Sequence, residues 1–221
     1  MTRKLFVALM LTSMPFAPAA NAALVTTDNF VNSSLVDFSD QAAQNNVIGP
    51  VQVGNLAGED ITVASSSPTS GLYFNYPSWG LCSNGTWGSG KTYVGLNGGN
   101  DTMTFAFNSG PVSSVGGFLN YARSCSANDF QISALDAGQN ILESYDLSSL
   151  ADIVTPSALN GGDFRGITRA TNDIYYFQLS GGMANVIDNL TFARVDVPAP
   201  APLALLGLGL LGLGLARKRR K

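Results

Sequence analysis

Histidine is absent from the 221 residues, and with it go the Ser-His-Asp triad, the Cys-His dyad and every imidazole metal ligand. Cysteine is nearly as scarce, and two cysteines without histidine cannot close a zinc site. Glutamate occurs only as Glu59 and Glu143, so the 15 acidic residues are almost all Asp. Basic residues are sparse in the middle of the chain: of the 12, Arg3, Lys4 and the run Arg217, Lys218, Arg219, Arg220 and Lys221 lie at the two ends. All the acidic residues fall between Asp28 and Asp196, where they face only Lys91, Arg123, Arg165, Arg169 and Arg194. A surface so negative repels phosphate backbones and argues against a nucleic-acid partner. Also lacking are an internal repeat and any helical stripe longer than about two turns.

What is present begins with two targeting segments. Arg3 and Lys4 precede an apolar run from Leu5 to Phe16, and Ala20-Asn21-Ala22 supplies the small-x-small site of a signal peptidase. Residues 1–22 therefore read as a secretory signal peptide, its apolar run of about a dozen residues being too short for a span of ~20. At the other end, Pro198, Pro200 and Pro202 make a stiff extended spacer. Fourteen apolar or glycine residues, Leu203 to Ala216, follow as a short hydrophobic helix, and the five basic residues act as a stop that holds its end on the cytoplasmic side.

Spacer, short span and basic stop, in that order at the extreme C-terminus, resemble the PEP-CTERM sorting domain of exported proteins of Gram-negative bacteria. The sorting motif falls on Val197, Pro198, Ala199 and Pro200; the family motif has Glu where Ala199 stands. The resemblance implies recognition by an exosortase-type membrane peptidase, a transient inner-membrane intermediate, and delivery to the cell surface or extracellular matrix. It also implies an association with extracellular polysaccharide, biofilm or floc formation.

Residues 23–196 remain for the folded part, enough for one domain with a sizeable core. Period-two alternation recurs, as in Met103, Phe105 and Phe107 and in Tyr175, Phe177 and Leu179, with turn sequences such as Asn97-Gly98-Gly99-Asn100-Asp101 between. This predicts an all-β fold, a single β-sandwich or jelly roll. Strands are expected near 35–38, 61–65, 72–76, 92–96, 102–107, 112–121, 129–135, 141–147, 164–169, 173–179 and 186–194. In 39–58 only Val47-Ile48 and Val51 to Val53 look extended.

Cys82 and Cys125 are an even pair in an exported chain and are expected to form a disulfide, with two free thiols as the alternative. Gly85-Thr86-Trp87-Gly88-Ser89-Gly90-Lys91-Thr92 spells a phosphate-loop pattern, but a strand, not a helix, is expected after it, so nucleotide binding is not. Glu59 and Glu143 sit in plain loop or strand context and make a poor glycosidase pair. Trp79 and Trp87 lie in Gly/Ser-rich sequence, where they either stack on sugar faces as exposed rings or pack in the core. The Asp residues either cap turns or supply oxygen ligands to calcium. Val186-Ile187-Asp188-Asn189-Leu190-Thr191-Phe192 resembles the last strand of jelly-roll carbohydrate-binding modules. That likeness implies a structural calcium at Asp188, with Asp28 or Asp37 as partners.

The expectation is an exported surface or matrix protein without catalysis, associated with polysaccharide. The alternatives are a dedicated carbohydrate-binding module carrying structural calcium and an enzyme of unseen mechanism.

Overall fold

The computed structural model describes residues 22–88, 90–125, 129–156 and 159–196. The expected leader up to Asn21 and the sorting tail from Val197 lie outside them. The described chain is all β apart from single turns such as the helix Leu147–Leu150. Its strands are β1 (Ala23–Val25), β2 (Ser34–Val36), β3 (Gln44–Val47), β4 (Val51–Gln52), β5 (Ile61–Ser65), β6 (Leu72–Phe74), β7 (Trp79–Gly80), β8 (Thr86–Trp87) and β9 (Val94–Leu96). They continue as β10 (Thr102–Phe107), β11 (Ser114–Asn120), β12 (Gln131–Leu135), β13 (Ile141–Asp146), β14 (Leu159–Asn160), β15 (Asp163–Thr168), β16 (Tyr176–Ser180) and β17 (Asn185–Ala193).

Alternation decides which face each strand buries. In β10, Met103, Phe105 and Phe107 are buried while Thr102, Thr104 and Ala106 are half-exposed; in β5 the buried set is Ile61, Val63 and Ser65. These belong to a six-stranded sheet in the order β13-β12-β16-β10-β5-β4. An eight-stranded sheet, β1-β15-β11-β17-β9-β6-β3 with β2 also on β17, packs against it. Leu72, Phe74, Val94, Val115, Leu119, Ile167, Ile187 and Phe192 from the larger sheet meet Val63, Phe105, Ile132, Phe177 and Leu179 from the smaller in one core. This is the expected β-sandwich, with two inner faces interdigitating and polar residues turned outward.

A second, smaller core lies on the outer face of the eight-stranded sheet. Tyr73, Tyr93 and Val186 point to it, and Trp79, Leu81 and Trp87 cover them. The cover is a three-stranded sheet, β14-β8-β7, with Trp79 opposite Trp87. Trp79 lies on Gly95, where any Cβ would stand 2.9 Å from the indole, so the close approach needs glycine. A buried amide network holds this sheet down. Asn84 donates to Asn120 Oδ1 (2.8 Å) and to the Ile153 carbonyl (2.9 Å), Asn120 donates to Asn160 Oδ1 (2.8 Å), and Asn160 donates back to the Asn84 carbonyl (2.7 Å). The Cys82–Cys125 disulfide, Cα atoms 6.1 Å apart, closes the same corner.

Every strand expected from alternation is present. The sequence reading missed β1, β7, β8 and β14, and in 39–58 it saw only the extended character that becomes the end of β3 and β4. Strands of two or three residues are too short for a period of two to show.

Candidate pocket at Asp188

β17 is longer than its neighbours on one side, and two short strands share that edge. β9 pairs with Asn185 to Ile187 and β2 with Leu190 to Phe192. Asp188 and Asn189 fall in the gap between them. On the other edge, Phe118 of β11 stands opposite Asp188, and the register then slips so that Gly117 meets the two residues Asn189 and Leu190. Asn189 takes the left-handed conformation (φ 53°) at this bulge. Bulges re-aim side chains. Here Ile187 and Leu190 enter the main core, while Asp188 opens into a pocket of about 180 Å³ lined by Lys91, Phe118, Gly161, Gly162, Asp188 and Asn189.

The carboxylate of Asp188 is buried, with the residue 6 % exposed. Burial pushes its carboxyl up to about 6, with the charge of Asp37 adding, while the Asn189 amide and the Lys91 ammonium oppose the rise. The amide of Asn189 donates to Asp188 Oδ1 at 2.7 Å, and among the described residues this is the only hydrogen bond to the carboxylate. Lys91 is exposed and carries its ammonium over Gly161. At the opposite rim, rings run along the outer face: Phe118 meets Phe164 edge-on at 5.8 Å, and Phe164 meets Phe30 at 5.7 Å. Gly116 and Gly166 make room for them, since a Cβ there would stand 2.9 Å from Phe164 and 3.2 Å from Phe30. Phe118 is half-exposed, Phe164 buried.

Of the residues singled out in the sequence, Asp188 alone reaches this pocket. Trp79 and Trp87 do not offer exposed rings: they are 6 % and 2 % exposed, packed with Tyr93 in the second core. The sugar-stacking reading of this pair is therefore corrected to the core-packing one, because the three-stranded sheet turns both rings down onto the larger sheet. Cys82 and Cys125 form the expected disulfide. Glu59 is held by Arg194 (2.7 and 3.1 Å), which keeps its carboxyl below the usual range, and Glu143 pairs with Arg169 at 2.8 Å. Arg169 is shared with Asp173, and neither glutamate lines the pocket.

The calcium reading of Asp188 meets a donor set that does not suit the ion. Calcium takes six to eight oxygen ligands, yet among the described residues no three acidic side chains gather. Asp37 acts on Asp188 through its charge, Asp28 reaches no closer than Thr191 (Oγ1 to Oδ2, 3.5 Å), and the pocket holds an ammonium. The motif residues Val197, Pro198, Ala199 and Pro200 and the stop Arg217 to Lys221 lie outside the described residues.

Sequence reasoning missed Lys91, Phe118, Gly161, Gly162 and Asn189 as companions of Asp188. Lys91 was visible only as the lysine of the phosphate-loop string, which here runs through β8 and a turn at Gly90 with no helix behind it. The paired glycines Gly116-Gly117 and Gly161-Gly162 were a signal of close approach.

Residues 196–220 match the family model of the PEP-CTERM protein-sorting motif, so the chain carries the signal of an exported protein handled by an exosortase-type system. Among solved structures, a DUF4465 family protein from Bacteroides caccae is similar over 76 % of this chain and 99 % of its own, at 11 % identity and a TM-score of 0.31. No curated protein matches the chain.

Proposed function

We propose that the protein is a non-catalytic component of the cell surface or extracellular matrix of a Gram-negative bacterium, associated with extracellular polysaccharide. The observation that carries this reading is the sorting motif at 196–220, which follows the last strand, ending at Ala193, almost without a linker. A sorting signal placed there delivers a single β-sandwich, and the sandwich is the part that stays to act. The absence of catalysis is supported by what the acidic residues do. Glycoside hydrolysis needs two carboxylates across one bond; Glu59 is paired with Arg194, Glu143 with the Arg169 that also binds Asp173, and the Asp188 pocket is lined by one carboxylate and one ammonium.

The test is fractionation joined to co-sedimentation. In the native host the protein should be found outside the inner membrane, should stay with the inner membrane when the exosortase is deleted, and should pellet with purified host exopolysaccharide without shortening it. Protein that leaves the inner membrane normally without the exosortase, or that never pellets with the polymer, would overturn the reading. A second reading, a dedicated carbohydrate-binding module, is favoured by the Asp188 pocket.

A further inference from the structure

We propose that the pocket formed by Asp188, Lys91, Phe118 and the Gly161-Gly162 backbone binds one neutral pyranose unit of a polysaccharide through two adjacent ring hydroxyls. Asp188 accepts from one hydroxyl, Lys91 donates to its neighbour, and Phe118 lies against the carbon face of the sugar. The inference deepens the polysaccharide association proposed above and rests on it.

An acceptor and a donor line the same pocket, and a vicinal diol is the group that uses both at once, since each hydroxyl donates and accepts. Hydrogen bonds to ionised groups are the strong ones. An anionic ligand such as a uronate or phosphate would meet the carboxylates of Asp188 and Asp37 with one ammonium to offset them. A cation would meet the Lys91 ammonium and a single lining carboxylate. At about 180 Å³ the pocket is well below the ~300 Å³ at which sites begin to enclose drug-sized ligands, so it takes one ring and not an oligomer. Gly161 and Gly162 bring backbone to the lining, Gly161 lying under the Lys91 side chain and Gly162 packing on Trp87 and the Leu119 carbonyl. Phe118 is the half-exposed end of the aromatic row, and its ring gives the C–H face of a sugar an apolar surface.

Asp188 is also poorly compensated where the fold places it. Its carboxylate is buried, receives one hydrogen bond from its own neighbour Asn189, and lies near a second carboxylate. A buried charge with so little compensation is unfavourable until a hydrogen-bonding partner arrives.

Calorimetric titration of the exported protein with methyl glycosides of glucose, galactose, mannose and N-acetylglucosamine at pH 7.5 tests the proposal, with co-sedimentation on the host polymer in parallel. At least one glycoside should bind saturably. Asp188→Asn and Lys91→Met should each weaken it by tenfold or more, with melting profiles reporting that both still fold. A deoxy analogue lacking one of the two hydroxyls should lose at least as much. Equal glycoside binding by wild type and Asp188→Asn would overturn the proposal, and if both still pellet with polymer, the association stands on another surface. No binding of glycoside or polymer by the wild type would remove the association and the pocket together. Binding abolished by a calcium chelator would replace the direct contact with an ion bridge and overturn it as well.

Discussion

Asp188 is held with its carboxyl at about 6 in the fold against an ordinary 3.8. Between those values the native state keeps a proton that the unfolded chain has lost, so stability falls as pH rises through that window and stays lower above about 6. The difference amounts to at most about 3 kcal/mol. Asp188→Asn keeps an acceptor for the Asn189 amide and removes the charge, so it should stabilise the domain at pH 7.5 by up to that amount and by almost nothing at pH 4. Urea denaturation of both forms at the two pH values reads the difference directly, and equal gains at both would mean that the charge is not the cause. The two tryptophans separate in another way. Trp79 donates its indole N–H to the Ala184 carbonyl at 2.9 Å, whereas Trp87 Nε1 has no partner among the described residues. Replacement by Phe should therefore cost ~1 kcal/mol more at Trp79 than at Trp87, because only there is a buried carbonyl left unpaired. Neither change should alter glycoside binding.

The small sheet β14-β8-β7 is the element whose survival needs the most explanation. Three strands of two residues each cannot hold together in water unaided. They persist because Trp79 and Trp87 bury their rings against the larger sheet, because Asn84, Asn120 and Asn160 saturate one another, and because a disulfide spanning 43 residues pins the adjoining turn. Replacing Cys82 and Cys125 by Ser should lower stability by about 4 kcal/mol, the closure entropy of a loop of that length, or ~10 °C in Tm for a domain of this size. Limited proteolysis should then cut first between β7 and β9. A double variant that melts with the wild type would mean that packing and the amide network suffice. β17 is the second telling element: it is long because it pairs with β11 throughout, and it is bulged where β9 and β2 stop short of each other on its other edge. The pocket is a product of that mismatch in strand lengths.

For the whole molecule, the boundary between body and tail is tight. Arg194 is bound to Glu59 through two hydrogen bonds and donates to the carbonyls of Gly110 and Pro111, and Val195 exchanges hydrogen bonds with Asn172 (2.8 and 2.9 Å). The fold is thus fastened to within two residues of Val197, where the spacer begins. Removal of the chain from about Leu203 should leave the thermal unfolding of the body unchanged. Intact mass of surface-extracted protein should give a species shortened in that way. Deletion of Arg217 to Lys221 should spoil the sorting, and Ala199→Glu should keep or improve it. Surface protein still ending at Lys221 would leave the tail as a plain anchor.

The amino-acid sequence alone determined the class of the fold and its address. Alternation at Met103, Phe105 and Phe107 needs only two faces of unequal polarity to become a strand, and the proline spacer, apolar run and basic stop are read along the chain by other molecules without any folding of this one. It also pointed to the disulfide, because an exported chain favours oxidation of an even pair of cysteines, and the structure forms it in place of two free thiols. What only the tertiary structure decided is everything that depends on which face lies against what. Trp79 and Trp87 carry the same local sequence character whether exposed or buried, and the sheet that turns them inward is built from strands too short to leave a period. Asp188 could be singled out from its string, but its surroundings could not. Lys91 comes from a turn after β8, Phe118 from the next strand across, and Gly161 and Gly162 from the turn between β14 and β15. These residues are separated by up to about a hundred positions, and only strand order and a one-residue slip in register bring them to one place.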